Sequence, residues 1–182
     1  MARLPENAVI LAFGDSLTYG TGSSDRDNYP SILSERVALE VINEGLPGEI
    51  SQDGAERLPA LLDEYRPDLI ILIHGGNDML RKIPRAETVA NITQMVTEAR
   101  QRNIEVIMLG VPQPHLFSLK SADFYQIIAE TQRVPIDLET LPSVLGDTAL
   151  KSDLIHPNAD GYRLIAENIE KLLIRTGALT PH

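Results

Sequence analysis

Ser16 lies in Gly14-Asp15-Ser16-Leu17, directly after an apolar run. A strand-to-helix turn there would expose its hydroxyl and aim its own backbone N–H outward from a helix start. Such a hydroxyl becomes a nucleophile only when a base takes its proton. Four histidines are available, His74, His115, His156 and His182. His156 stands out because Asp153 precedes it by three residues. In a turn, that spacing lets a carboxylate reach imidazole Nδ1 and leaves Nε2 as acceptor. Pro157 restricts the backbone of His156, as suits a base held in one place. Acyl transfer also needs donors where the oxyanion forms, and Gly48, with no side chain to block its N–H, and the amide of Asn77 can supply them. Each residue alone has a plainer reading: Ser16 as an N-cap, Asp153-x-x-His156 as a surface turn, Gly45 and Gly48 as turn residues, Asn77-Asp78 as a helix cap. Asp15 reads as a brace for its loop or a second cap. His74 reads as a packed residue ending a strand and His115 as a residue of the pocket rim, while His182 has no assignable role.

Elements that bring these residues together are legible as short Val-, Ile- and Leu-rich runs alternating with longer stretches of helical period, the pattern of an α/β protein with a buried parallel sheet. Strands are expected at about 8 to 13, 40 to 43, 68 to 74, 104 to 110 and 134 to 136. Helices fit about 29 to 39, 52 to 65, 85 to 102, 119 to 132 and 158 to 175. In the last of these, Tyr162, Ile165, Ala166, Ile169, Leu172 and Leu173 form a stripe that reads as core. No repeat, linker or low-complexity segment interrupts residues 1–182, so a single domain is expected. Right-handed, short crossovers imply a three-layer α/β/α sandwich around a five-stranded parallel, flavodoxin-like sheet of order 2-1-3-4-5. Ligands of such sheets bind outside the carboxyl ends of the strands. The Ser16, Gly48, Asn77 and Asp153-His156 clusters each follow a predicted strand, which puts them on one edge.

Composition removes several function classes. Sixteen Lys and Arg against 26 Asp and Glu give a net charge of −10, a field that repels phosphate backbones and anionic headgroups. With 3 Phe, 5 Tyr and no Trp, platforms for stacking bases are also scarce, so no nucleic-acid partner is expected. The absence of Cys excludes disulfides, thiolate zinc and a Cys nucleophile, and no two His stand at metal-ligand spacing, so no metal is expected. Neither a Gly-x-Gly-x-x-Gly nor a Walker sequence follows the first strand, which argues against nucleotide binding, and no cofactor is implied. The longest apolar runs, Ala8 to Phe13 and Leu69 to Ile73, fall far short of the ~20 residues of a membrane span. Met1 to Asn7 leaves no room for a secretory leader, which reads as cytoplasmic for the chain as written and as periplasmic or secreted if a leader was removed. Oligomeric state is left open.

Gly14-Asp15-Ser16-Leu17, Gly48, Gly75-x-Asn77-Asp78 and Asp153-x-x-His156 together resemble the four signature blocks of the SGNH (GDSL) hydrolases, in order and over nearly the whole chain, from about Val9 to Leu173. Arg57-Leu58-Pro59 and Gly75-Gly76-Asn77-Asp78-Met79-Leu80-Arg81 are similar to the bacterial branch with thioesterase I, lysophospholipase and arylesterase activities. The resemblance implies Ser16 as nucleophile, His156 as base and then acid, Asp153 as the carboxylate orienting it, and an oxyanion hole of the Ser16 and Gly48 N–H groups with the Asn77 amide. Pro47 stands where related enzymes can have Ser, which bears on substrate choice more than on catalysis. The motif is not the Gly-x-Ser-x-Gly elbow, since Thr18 occupies the place of the second glycine. A serine ester hydrolase acting on a small-molecule ester or thioester is therefore expected. Met79 and Leu80, and Pro112, Leu116 and Phe117 beside the fourth strand, are candidates for shaping its substrate pocket. The rivals are a carbohydrate acetylesterase of the same architecture, disfavoured by the few aromatics, and a catalytically silent flavodoxin-like binding domain.

Overall fold

A computed structural model describes residues 1–113 and 119–181. Its main sheet has five parallel strands: β1 (Val9–Gly14), β2 (Glu40–Gly45), β3 (Leu69–Ile73), β4 (Glu105–Leu109) and, at the far edge, β7 (Ile136–Asp137), in the order β2-β1-β3-β4-β7. This is the expected order. The central strands are buried on both faces, β3 along its whole length, as their unbroken aliphatic runs require. Edge strand β2 is only half-buried and carries Glu40, Asn43 and Glu44.

Helices α2 (Tyr29–Val37) and α8 (Ala159–Arg175) pack together, as do α3 (Ser51–Tyr65), α5 (Arg85–Gln101) and α6 (Asp123–Gln132), and these two groups flank the sheet. The α8 stripe is core, with Tyr162, Ile165, Ala166 and Leu173 inaccessible to solvent. Asn158 caps it by accepting the Gly161 N–H, so the helix begins one residue later than its apolar period suggests. Five short elements lie outside the helix and strand ranges expected from sequence: α1 (Ser16–Tyr19), which begins at the helix start expected at Ser16, α4 (Gly76–Leu80), strand β5 (Pro112–Gln113), α7 (Thr140–Gly146) and the 3-10 turn Thr148–Leu150. The helix expected from 119 is corrected at its start. Lys120–Ser121 forms strand β6, paired antiparallel with β5 (Pro112–Gln113), and the Ser121 hydroxyl donates to the carbonyls of Gly110 and Leu138. Those bonds hold the segment extended until Ala122. No helix among the described residues is long and apolar enough to cross a membrane.

One buried carboxylate ties the site loops to this frame. The N-cap position of α3 is Ile50, which has no side-chain acceptor. Asp78, from α4, supplies it instead, accepting the Ser51 N–H at 2.8 Å, the Ser51 hydroxyl, and the Thr88 hydroxyl at 3.2 Å. Asp78 is 1% exposed, so Asp78→Ala strands three donors away from water. We expect that variant to lose about 2 to 3 kcal/mol of stability, read as a lower urea midpoint at unchanged m. An unmoved midpoint would show that these bonds are replaced at no cost.

Candidate active site

β1 ends at Gly14, and Asp15 turns the chain into α1 by accepting the Leu17 N–H at 3.0 Å. The turn presents the Ser16 hydroxyl at the carboxyl edge of the sheet. Its Oγ lies 3.0 Å from His156 Nε2, although the two residues are 140 positions apart. On the other side of the ring, Nδ1 lies 2.7 Å from Asp153 Oδ2, while Asp153 Oδ1 accepts the N–H groups of Ile155 and His156, both at 2.8 Å. The loop carrying both residues is closed by a bridge between Lys151 and Pro157 and by the Ser152 N–H donated to the His156 carbonyl.

The hydrogen bond from His156, reinforced by the Ile155 N–H, holds the Asp153 carboxyl down to about 2, against a usual 3.8. With the folded value below the unfolded one, what the pairing adds to stability is in place above about pH 4 and is lost as pH falls toward 2. At neutral pH Asp153 is therefore ionised and can only accept, so in the neutral imidazole the hydrogen lies on Nδ1 and the Nε2 lone pair faces Ser16. This arrangement can withdraw the hydroxyl proton.

Gly48 sits opposite, in the loop leaving β2, with a positive φ of 81° that glycine adopts without strain. Its N–H and that of Ser16 have no intramolecular acceptor among the described residues, and both residues line the cavity at the serine. The Asn77 amide nitrogen donates to the Glu49 carbonyl at 3.0 Å and, more weakly, to Asp15 Oδ2 at 3.3 Å. Asn77 does not cap α4, whose N-cap is Gly75, so the helix-cap reading is corrected. Its neighbour Asp78 does cap a helix, but that helix is α3. Burial pushes the Asp15 carboxyl up, partly offset by the bond from the Leu17 N–H. Asp15 is thus a buried brace between the serine turn and Asn77.

The cavity in front of Ser16 encloses about 440 Å³. Met79, Leu80 and Pro112 line it, whereas Leu116 and Phe117, like His115, lie outside the described residues. Val111, which opens the second of the segments expected to shape the pocket, is also in the wall, and several wall residues were not singled out from sequence: Leu17, Leu119, Leu145, Leu154 and Ile155. Leu154 and Ile155 are the two residues between Asp153 and His156, and at 89% and 47% exposure they form an apolar lip. An exposed aliphatic pair inside a polar turn is a signal the sequence did offer. Tyr162 belongs to the core stripe of α8, yet its hydroxyl also donates to the Thr21 carbonyl at 2.9 Å, fastening the end of the serine turn. Among the described residues, no group of three or more His, Asp and Glu side chains is arranged to hold a metal ion.

The chain is 30% identical to the esterase TesA of Pseudomonas aeruginosa, over 88% of its own length and 85% of that protein. It is 29% identical to thioesterase 1/protease 1/lysophospholipase L1 of Escherichia coli K12, over 91% and 83%. A solved structure of TesA superimposes with a TM-score of 0.83 at 27% identity, covering 91% of this chain and 97% of the other. Residues 12–164, which include the serine turn, the Gly48 loop, Asn77 and His156, match the GDSL-like lipase/acylhydrolase family, and the chain belongs to that family.

Proposed function

We propose that the protein hydrolyses carboxylic esters through an acyl-enzyme on Ser16. The single observation that carries this reading is the Asp153–His156–Ser16 chain of 2.7 and 3.0 Å contacts opening onto an apolar cavity. Ser16 Oγ attacks the acyl carbon as its proton passes to His156 Nε2. The carbonyl oxygen, now an oxyanion, is received by the N–H groups of Ser16 and Gly48 and by the Asn77 amide, whose long contact to Asp15 is the one it can exchange for substrate. His156 returns the proton to the departing alcohol or thiol. It then takes a proton from water as the water oxygen attacks the acyl carbon, and returns that proton to Ser16 Oγ as the acyl–Oγ bond breaks, releasing the acid and free Ser16. Ionised Asp153 stabilises the imidazolium formed in both halves.

For substrate we propose short- to medium-chain acyl esters and aryl esters. The walls are aliphatic, the cavity has the size of a small-molecule site, and little chain is inserted between strands to enclose a longer tail. A series of p-nitrophenyl esters from acetyl to palmitoyl, beside acyl-CoA, lysophospholipid and acetyl-xylan, tests both points. The expected result is a kcat/KM that peaks at short or medium length and falls at palmitoyl. A steady rise to palmitoyl would overturn the length preference, and turnover of acetyl-xylan alone would favour the carbohydrate esterase.

A further inference from the structure

Behind the Gly48 loop, two buried titratable side chains have no part in the steps above. Glu49 and His74 have side chains 1% and 0% exposed, and Glu49 Oε2 lies 3.1 Å from His74 Nε2. The Gly75 N–H donates to His74 Nδ1 at 3.0 Å, so Nδ1 is the acceptor and the hydrogen on Nε2 points at Glu49. Arg57 completes the cluster with a fork: Nε to Oε1 at 2.8 Å and Nη2 to Oε2 at 2.9 Å. Arg57 is itself held by Glu44 and lies over the Phe13 ring at 4.5 Å. Burial pushes the Glu49 carboxyl up, but the bonds from His74 and Arg57 outweigh it and hold it below the usual range. Room for the imidazole comes from a glycine on α3, since a Cβ at Gly54 would lie 2.5 Å from His74 Nε2.

Buried ion pairs are poor stabilisers, because desolvation consumes most of their attraction and apolar packing often serves as well. Their use here is better understood from what Glu49 is attached to. Its peptide nitrogen follows Gly48, and its carbonyl accepts the Asn77 amide. One residue thus joins two of the three oxyanion donors, and its side chain is clamped to the end of β3, the strand that leads into Asn77. We infer that Glu49 and His74 are positioning residues that set the separation of the Gly48 N–H from the Asn77 amide. The inference rests on the oxyanion assignment above.

Two variants test it. His74→Leu removes the donor to Glu49 and the acceptor for Gly75. Glu49→Gln keeps the shape but must aim an NH2 group at Arg57 or His74, since both carboxylate oxygens now accept from donors. Each is expected to lower kcat by about ten- to a hundredfold, less than deleting a donor outright, with KM within about twofold. His74→Gln can still donate to Glu49 and should recover kcat to within about threefold of wild type. Combined with Asn77→Ala, His74→Leu should cost less than it does alone, because part of what it acts through is gone. Wild-type kcat in folded His74→Leu and Glu49→Gln, a loss confined to KM, or His74→Gln as impaired as His74→Leu would each overturn the inference. Should His74→Leu fail to fold, Glu49→Gln and His74→Gln carry the same decision. Full turnover by Asn77→Ala is a separate failure, that of the oxyanion assignment itself.

Discussion

Ser16→Ala is expected to lose turnover by about 10⁴-fold or more while keeping the wild-type urea midpoint. The size follows from the geometry: His156 Nε2 faces that hydroxyl and no other among the described residues, so nothing nearby can take over the attack. Stability is spared because, among the described residues, the hydroxyl makes only this one side-chain hydrogen bond, and it lies in the wall of the cavity rather than in the packed core. A fluorophosphonate provides the complementary measurement, since the fluoride leaves as Oγ bonds to phosphorus. Intact mass should show one adduct per chain, peptide mapping should place it on Ser16, and Ser16→Ala should take up none. An active Ser16→Ala, or an adduct mapped elsewhere, would remove the triad as the explanation of activity. A silent binding domain predicts no adduct at all.

The parts of the site that were legible in the sequence are those that travel as compact clusters after strands. Ser16 follows β1, Gly48 follows β2 and Asn77 follows β3, so the parallel-sheet rule puts these three on one edge, whereas α7 and the 3-10 turn separate β7 from the loop that Asp153 and His156 share. The strand order was equally accessible, because runs such as Leu69–Ile73 can only be central. Apart from the Leu154-Ile155 lip, what escaped has no local signal. α4 and α7 span 5 and 7 residues, too few to display a helical period. Lys120–Ser121 is extended because Ser121 bonds to carbonyls 11 and 17 positions away. Glu49 and His74 are 25 residues apart and neither neighbourhood announces a partner, so His74 reads only as a packed strand end. That reading is right about its burial and silent about the carboxylate it meets.

Asn77→Ala is expected to reduce kcat by about 10² to 10³ with little change in KM, because the amide's full bond to the substrate oxygen forms only as that oxygen becomes charged. The alternative to a donor is now a cross-link, since the amide joins Glu49 and Asp15 in the resting protein. A cross-link alone would appear as a lower urea midpoint, on the order of 1 kcal/mol, with turnover per folded molecule preserved. An alkyl trifluoromethyl ketone separates the two directly. It binds as a tetrahedral adduct, so in Asn77→Ala its Kd should rise in step with the fall in kcat/KM if the amide serves the oxyanion, and should stay put if it does not. Asn77→Asp sharpens the contrast. The new carboxylate would stand about where the amide nitrogen lies, 3.3 Å from Asp15 Oδ2 and 3.0 Å from the Glu49 carbonyl, among acceptors only. Burial already pushes the Asp15 carboxyl up, and a second carboxylate so close would force the pair to retain a proton or move apart. Whichever occurs, at pH 8 the oxyanion meets a repulsive group where it needs a donor, so Asn77→Asp should be at least as slow as Asn77→Ala. Near-normal turnover of Asn77→Asp at that pH would take Asn77 out of the mechanism and leave the oxyanion to the two backbone N–H groups.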